Sequence, residues 1–109
     1  METLLEFVRE RSGNPDIIID EEVANSEREA GFRNAALANF IRSFGNLESP
    51  VEQVLDFYFH QCALQLSCDD LARAFLYLAN GGRCQRSGEP VTNPERAKRI
   101  NALMLTCGT

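Results

Sequence analysis

The chain has 109 residues, 44% hydrophobic and 25% charged, the ordinary mix of one small globular domain. That mix excludes a disordered tail, a collagen-like repeat and a coiled-coil rod, and no apolar run nears the roughly 20 residues that span a bilayer. Sixteen acidic against eleven basic side chains give a net charge of -5 with no basic cluster, so neither nucleic acid nor a membrane surface is an expected partner.

The N-terminus carries Glu2 and Glu6 where a signal peptide needs base, so a cytoplasmic chain is expected. Cys62, Cys68, Cys84 and Cys107 match no zinc spacing, and His60 is the single histidine, so no metal site is expected. The four cysteines are expected to be reduced thiols, some of them buried as small apolar groups.

The elements follow in chain order. Residues 2–12 form an amphipathic helix with Leu4, Leu5 and Val8 on one stripe, ended by Gly13 and broken by Asn14-Pro15. Ile17-Ile18-Ile19 is a short apolar run and the only plausible strand material. Asp20 can cap the next helix, with Glu21 and Glu22 where the macrodipole favours acids. Gly31 interrupts this segment, as a break or as a tolerated weak spot. From Phe32 the apolar phase resumes at Ala36, Leu37, Phe40, Ile41 and Phe44, and Gly45 stops it.

Ser49-Pro50-Val51-Glu52 reads as a capping box with proline at the first helical position. Val51, Val54, Leu55, Tyr58, Cys62 and Leu66 then keep helical phase, and Phe57, Phe59 and Leu64 widen the stripe. A helix so broadly apolar is expected at the centre of a bundle. Ser67 caps a further helix, with Asp70 three residues on and Leu71, Ala74, Phe75 and Leu78 as its core face; Asn80-Gly81-Gly82 ends it. After a polar loop, Asn93-Pro94 opens the last helix, with Ala97, Ile100, Leu103 and Met104 inward, and Cys107-Gly108-Thr109 closes the chain. The prediction is an all-α domain, a compact bundle of five to six helices spanning 1–109.

Few residues here suggest chemistry. A serine–lysine nucleophile needs Ser-x-x-Lys, one helical turn apart, but Glu95 stands three residues before the only lysine, Lys98. His60 and Cys62 fall on different helix faces, so His60 reads as structural. Gly81-Gly82 follows a helix instead of opening one and reads as a C-cap, not a phosphate loop. Asp69-Asp70 reads as a helix N-terminus rather than a metal site. Glu27 and Asn34 are seven apart; on a continuous helix they would share one stripe, about 10 Å apart along the axis. Glu27 could accept from an ammonium and Asn34 could donate to a carboxylate, although solvated surface positions are the simpler reading. Tyr58 reads as a core aromatic whose hydroxyl reaches a rim partner.

Four segments carry a resemblance. Glu27-Arg28-Glu29-Ala30-Gly31-Phe32-Arg33-Asn34 is similar to the E-x6-N segment of the serine-dependent glutaminases. Asp56-Phe57-Tyr58-Phe59-His60-Gln61-Cys62 resembles their D-x-Y-F-x-Q-C segment. Asp70-Leu71-Ala72 followed by Leu78-Ala79-Asn80-Gly81-Gly82 resembles their D-L-A…L-A-N-G-G stretch, and Met104-Leu105-Thr106-Cys107-Gly108-Thr109 their M-x-T-C-G run. Arg83-Cys84-Gln85-Arg86 departs from the family, many of whose members have Asn-Pro nearby.

The resemblance implies an enzyme of the serine β-lactamase and penicillin-binding-protein type, in which a helical domain covers the cleft of an α/β domain carrying Ser-x-x-Lys. It implies hydrolysis of L-glutamine to L-glutamate and ammonia through an acyl-serine intermediate, with no cofactor. It implies that this chain corresponds to the helical domain alone, with no catalytic residue of its own. It further implies substrate contacts at Glu27, for the ammonium, and at Asn34 and Tyr58, near the α-carboxylate. Homo-oligomerisation of the full-length enzyme stays open. The competing expectation is a stand-alone helical interaction module without catalysis.

Overall fold

A computed structural model describes residues 1–107. Six helices and one two-stranded ladder follow in the order α1 Glu2–Ser12, β1 Ile18–Ile19, α2 Glu21–Glu29, α3 Phe32–Ser43, α4 Val51–Cys62, β2 Leu64–Gln65, α5 Cys68–Ala79 and α6 Pro94–Thr106. The all-α expectation holds. Packing divides the chain into two compact units, one of Met1–Leu5 with Ile17–Gln65, the other of Glu6–Asp16 with the chain from Leu66 onward.

In the first unit α2 and α3 both pack on α4. Asp20 caps α2, its carboxylate accepting from the N–H groups of Glu22 and Val23. Its own N–H donates to the Ala63 carbonyl at 2.8 Å, where β1 meets β2. The strands run antiparallel, Ile18 opposite Gln65 and Ile19 opposite Leu64. Ile17, Ala24, Ala38, Phe59 and Ala63 are buried. The two helix alanines leave room for close approach of the backbones.

Several expectations are corrected here. The helix from Val51 stops at Cys62 with Ala63 as its C-cap, so Leu64 and Leu66 are not on it. Pairing with β1 outweighs continuation of the apolar phase. The expected box at Ser49 does not form: the N-cap is Pro50, which offers no acceptor side chain, and no side-chain cap bond is made. Nor is α4 sheathed on all sides, since Phe57 and Tyr58 are exposed. On α3 the apolar phase faces outward as well: Phe32, Leu37, Phe40, Ile41 and Phe44 are exposed, and only Ala38 is buried.

In the second unit α5 packs on α6. Ser67 and Asp70 form the expected capping box. Asp70 also accepts from the Asn14 side-chain amide at 3.1 Å, which ties the turn after α1 to the start of α5. Asn93 caps α6 by accepting from the Arg96 N–H, and Pro94 follows at the first turn. Ala74, Leu78, Cys84 and Ala97 are buried. Of the other residues expected inward, Leu71 and Phe75 on α5 and Ile100, Leu103 and Met104 on α6 are exposed. The buried positions of the two helices are Ala74 and Leu78 on α5 and Ala97 on α6. The end of the last motif, positions 108 and 109, lies outside the described residues.

Candidate substrate-binding site

The three candidate residues all belong to the first unit, one on each of its main helices. Glu27 lies on α2, Asn34 in the first turn of α3 and Tyr58 on α4. The continuous-helix geometry for Glu27 and Asn34 is corrected, because α2 and α3 are separate helices joined at Gly31. Glycine at the break has a steric cause. A Cβ at Gly31 would lie 2.6 Å from the Phe59 ring and 2.9 Å from the Glu27 carbonyl oxygen. Phe59 of α4, only 3% exposed, therefore seats against the bare backbone between the two candidates. Glycine's φ of -83° here is ordinary, so room, not left-handed geometry, is what this position requires.

A polar lattice fixes α2 on α4. Arg28 donates to Asp56 in an ion pair and to the Asn25 side chain at 2.7 Å. His60 donates through Nδ1 to the Asp56 carbonyl at 2.8 Å, while Nε2 lies 3.2 Å from the Glu21 carboxylate. The Asp56 carbonyl first, then the Asp56 and Glu21 carboxylates, hold the His60 pKa above its usual value against the opposing effect of burial. His60 is thus structural, as its sequence position suggested.

The lattice takes Arg28 away from Glu27, and among the described residues no basic side chain pairs with Glu27. The Glu27 carboxylate stays exposed and close enough to Tyr58 to act on it electrostatically. Tyr58 is exposed rather than a core aromatic, and its ring lies edge-on to Phe59 at 6.1 Å between centroids. Its hydroxyl bonds the Cys62 side chain one turn on. That bond, with smaller contributions from Cys62 charge, burial and the Glu27 charge, raises the phenol pKa. Tyr58 is therefore a neutral O–H donor at ordinary pH. Asn34 is half-buried, and no hydrogen bond joins it to Glu27 or Tyr58 among the described residues. The structure thus places Glu27 within electrostatic range of Tyr58, and Asn34 on the next helix after the Gly31 turn.

Sequence reasoning missed the support. Cys62 beside Tyr58 and Asp56 beside His60 are both i, i+4 pairs, a spacing visible in the sequence. The Arg28–Asp56 pair and the Phe59–Gly31 contact join distant segments and carried no local signal. Asp69-Asp70 is a helix N-terminus: Asp70 caps, and Asp69 pairs with Arg73 at 3.1 Å. Cys62, Cys68 and Cys107 are exposed free thiols, and Cys84 is a buried one. No helix among the described residues is long and apolar enough to cross a membrane.

The first unit thus presents an exposed carboxylate at Glu27, with no basic partner among the described residues, and a neutral phenol at Tyr58 beside the Cys62 thiol. The glutaminase family model matches residues 1–109, and the chain belongs to that family. It is 60% identical over 105 residues to a glutaminase of Agrobacterium fabrum, covering 96% of this chain and 34% of that protein. A thermolabile glutaminase of Rhizobium etli is 56% identical over the same length, with 96% and 34% coverage. Among solved structures, a covalent complex of a Bacillus subtilis glutaminase superposes with a TM-score of 0.87 at 38% identity. That match covers 98% of this chain and 37% of that one. The complex holds 5-oxo-L-norleucine, formed by reaction of that protein with 6-diazo-5-oxo-L-norleucine. The chain spans about a third of the length of the curated relatives it matches.

Proposed function

We propose that these residues are the helical, substrate-holding domain of a glutaminase that hydrolyses L-glutamine to L-glutamate and ammonia. The observation that carries this reading is the family match over the whole chain, and the electrostatic proximity of exposed Glu27 to Tyr58 supports it. Glu27, with its neighbouring arginine committed elsewhere, accepts from the substrate ammonium. Tyr58, kept protonated, turns its O–H from Cys62 to the α-carboxylate, and Asn34 adds a second neutral donor. A carboxylate facing the ammonium, with neutral donors facing the carboxylate, selects an α-amino acid over a simple amide, which would leave Glu27 unpaired.

The amide carbon is then presented to a nucleophile supplied by the rest of the enzyme. Serine attack with loss of ammonia, followed by hydrolysis of the acyl-serine, is the route we assign. The covalent adduct of the Bacillus subtilis relative supports a nucleophile in that protein. The chain itself holds no Ser-x-x-Lys. Four free cysteines fit a reducing compartment, the cytoplasm.

Ammonia release from L-glutamine tests the reading. A polypeptide carrying these residues at the length of the curated relatives releases ammonia, and the 109-residue chain alone does not. Turnover by the homogeneous 109-residue chain would overturn the assignment of catalysis to other residues. Absence of turnover in the longer polypeptide would favour the interaction-module reading.

A further inference from the structure

The second unit contains a cavity of about 290 Å3 whose lining includes none of Glu27, Asn34 and Tyr58. Its volume is just below the roughly 300–1,000 Å3 of small-molecule sites. Three guanidinium groups line it, Arg11 from α1, Arg73 from α5 and Arg86 from the loop after α5, together with the Cys84 thiol.

Among the described residues, each arginine makes its hydrogen bond or ion pair through one nitrogen. Arg11 pairs with Glu10 at 2.8 Å, Arg73 pairs with Asp69, and Arg86 donates to the Glu10 carbonyl at 2.8 Å. A guanidinium carries five N–H donors, so each keeps others for a ligand. Arg11 is also stacked over the Phe7 ring at 5.4 Å, and its Nε is buried with no hydrogen-bond partner.

Cys84 is 4% exposed, yet it is no inert apolar filler. The loop it opens closes on itself: Gly88 N–H donates to the Cys84 carbonyl at 2.7 Å, and Cys84 N–H to that of Glu89 at 2.8 Å. This turn brings the Ser87 hydroxyl, then the backbone N–H groups of Ser87 and Arg86, onto the sulfur, with the Arg11 charge beyond. Together they outweigh burial and lower the thiol pKa to about 7. A large thiolate fraction at neutral pH follows.

We propose that this cavity is a binding and reaction site for small anionic disulfides, in which the arginines hold the carboxylates of the incoming molecule and the Cys84 sulfur exchanges with its disulfide. The thiolate attacks one sulfur, the S–S bond of the reagent breaks, and a Cys84 mixed disulfide forms. The Cys84 sulfur is oxidised. The leaving sulfur is reduced and departs as a thiolate that takes its proton from water.

The test is the rate of mixed-disulfide formation at each cysteine of the full chain at neutral pH, resolved by peptide mass spectrometry. Three probes differ in charge: glutathione disulfide, neutral bis(2-hydroxyethyl) disulfide and cationic cystamine. Cys84 should prefer glutathione disulfide over cystamine by about tenfold or more, the focusing effect of a cleft lined with one sign of charge. Exposed Cys62, Cys68 and Cys107 should show no such ordering. Arg73→Gln removes an exposed guanidinium that pairs with the surface carboxylate of Asp69 and adds only a minor charge interaction with Asp70, so the fold survives and the preference at Cys84 should shrink. Cys84 left unmodified by all three probes, or showing no more charge preference than the exposed cysteines, would overturn the proposal.

Discussion

Replacing Gly31 with alanine tests the packing that places Glu27 and Asn34. At a φ of -83° an alanine is unstrained, so with open space around it the change would stabilise the protein by about 0.4–1 kcal/mol through the unfolded chain. The space is not open. The new methyl would stand 2.6 Å from the Phe59 Cζ and 2.9 Å from the Glu27 carbonyl oxygen. Favourable carbon contacts lie near 3.5–4.0 Å, so ring or turn must move by about 1 Å. Phe59 is buried, and overpacking of that kind costs about 1–3 kcal/mol. Thermal melts should show the midpoint falling by about 4 °C or more per kcal/mol. Phe59→Leu in the same chain should return part of the loss, with a coupling of about 0.5–3 kcal/mol in a double-mutant cycle. An unchanged or higher melting temperature for Gly31→Ala would refute the contact and the reason given for glycine at the α2–α3 break.

Three further outcomes follow from the same geometry. His60 has a raised pKa in the fold, so its contribution to stability is fully present below the ordinary value of 6.5 and is lost as pH rises through the folded value. The melting-temperature gap between the chain and His60→Gln should therefore be widest in mild acid and close toward alkaline pH; a gap that widens with pH would contradict the Asp56 and Glu21 contacts. All four cysteines should react with a thiol reagent in denaturant without prior reduction, and a titre of two or fewer would mean a disulfide. In the full-length enzyme, Tyr58→Phe should lower kcat/KM for glutamine by about 1.5–3 kcal/mol, the loss of one donor to a charged group. Asn34→Ala should exceed that loss and fall short of Glu27→Gln; steady-state kinetics giving the reverse order would reassign the carboxylate contacts.

Where local chemistry decides, the sequence was a good guide. The Asp20, Ser67 and Asn93 caps, the break at Asn14-Pro15 and the glycine stops are written in residues within a turn of where they act. Where distant segments decide, it failed. Leu64 continued the helical phase of α4 but was taken by the strand at Ile18–Ile19, 45 residues earlier by the Ile19–Leu64 register. Phe40, Phe44, Leu103 and Met104 keep apolar periodicity yet are exposed, because periodicity marks an apolar face without saying what covers it. Glu27, Asn34 and Tyr58 became candidates through family resemblance, since a lone glutamate and asparagine seven apart have no distinctive local chemistry. The arginine-lined cavity at Cys84 had no sequence signal, because Arg11, Arg73 and Arg86 meet only through folding.

The central claim is that Glu27 holds the ammonium of an amino-acid substrate, and one comparison tests it most directly. Steady-state kcat/KM is measured for the full-length enzyme and for Glu27→Gln, with L-glutamine and with the same amide lacking its α-amino group. Leaving the ammonium unpaired in a closed cleft costs on the order of 3–5 kcal/mol. Glu27→Gln should therefore lose on the order of a hundredfold to a few thousandfold with L-glutamine. With the des-amino substrate it should lose little, because that substrate has no cation to leave unpaired. Near-native kcat/KM with L-glutamine, or an equal loss on both substrates, would contradict the assignment.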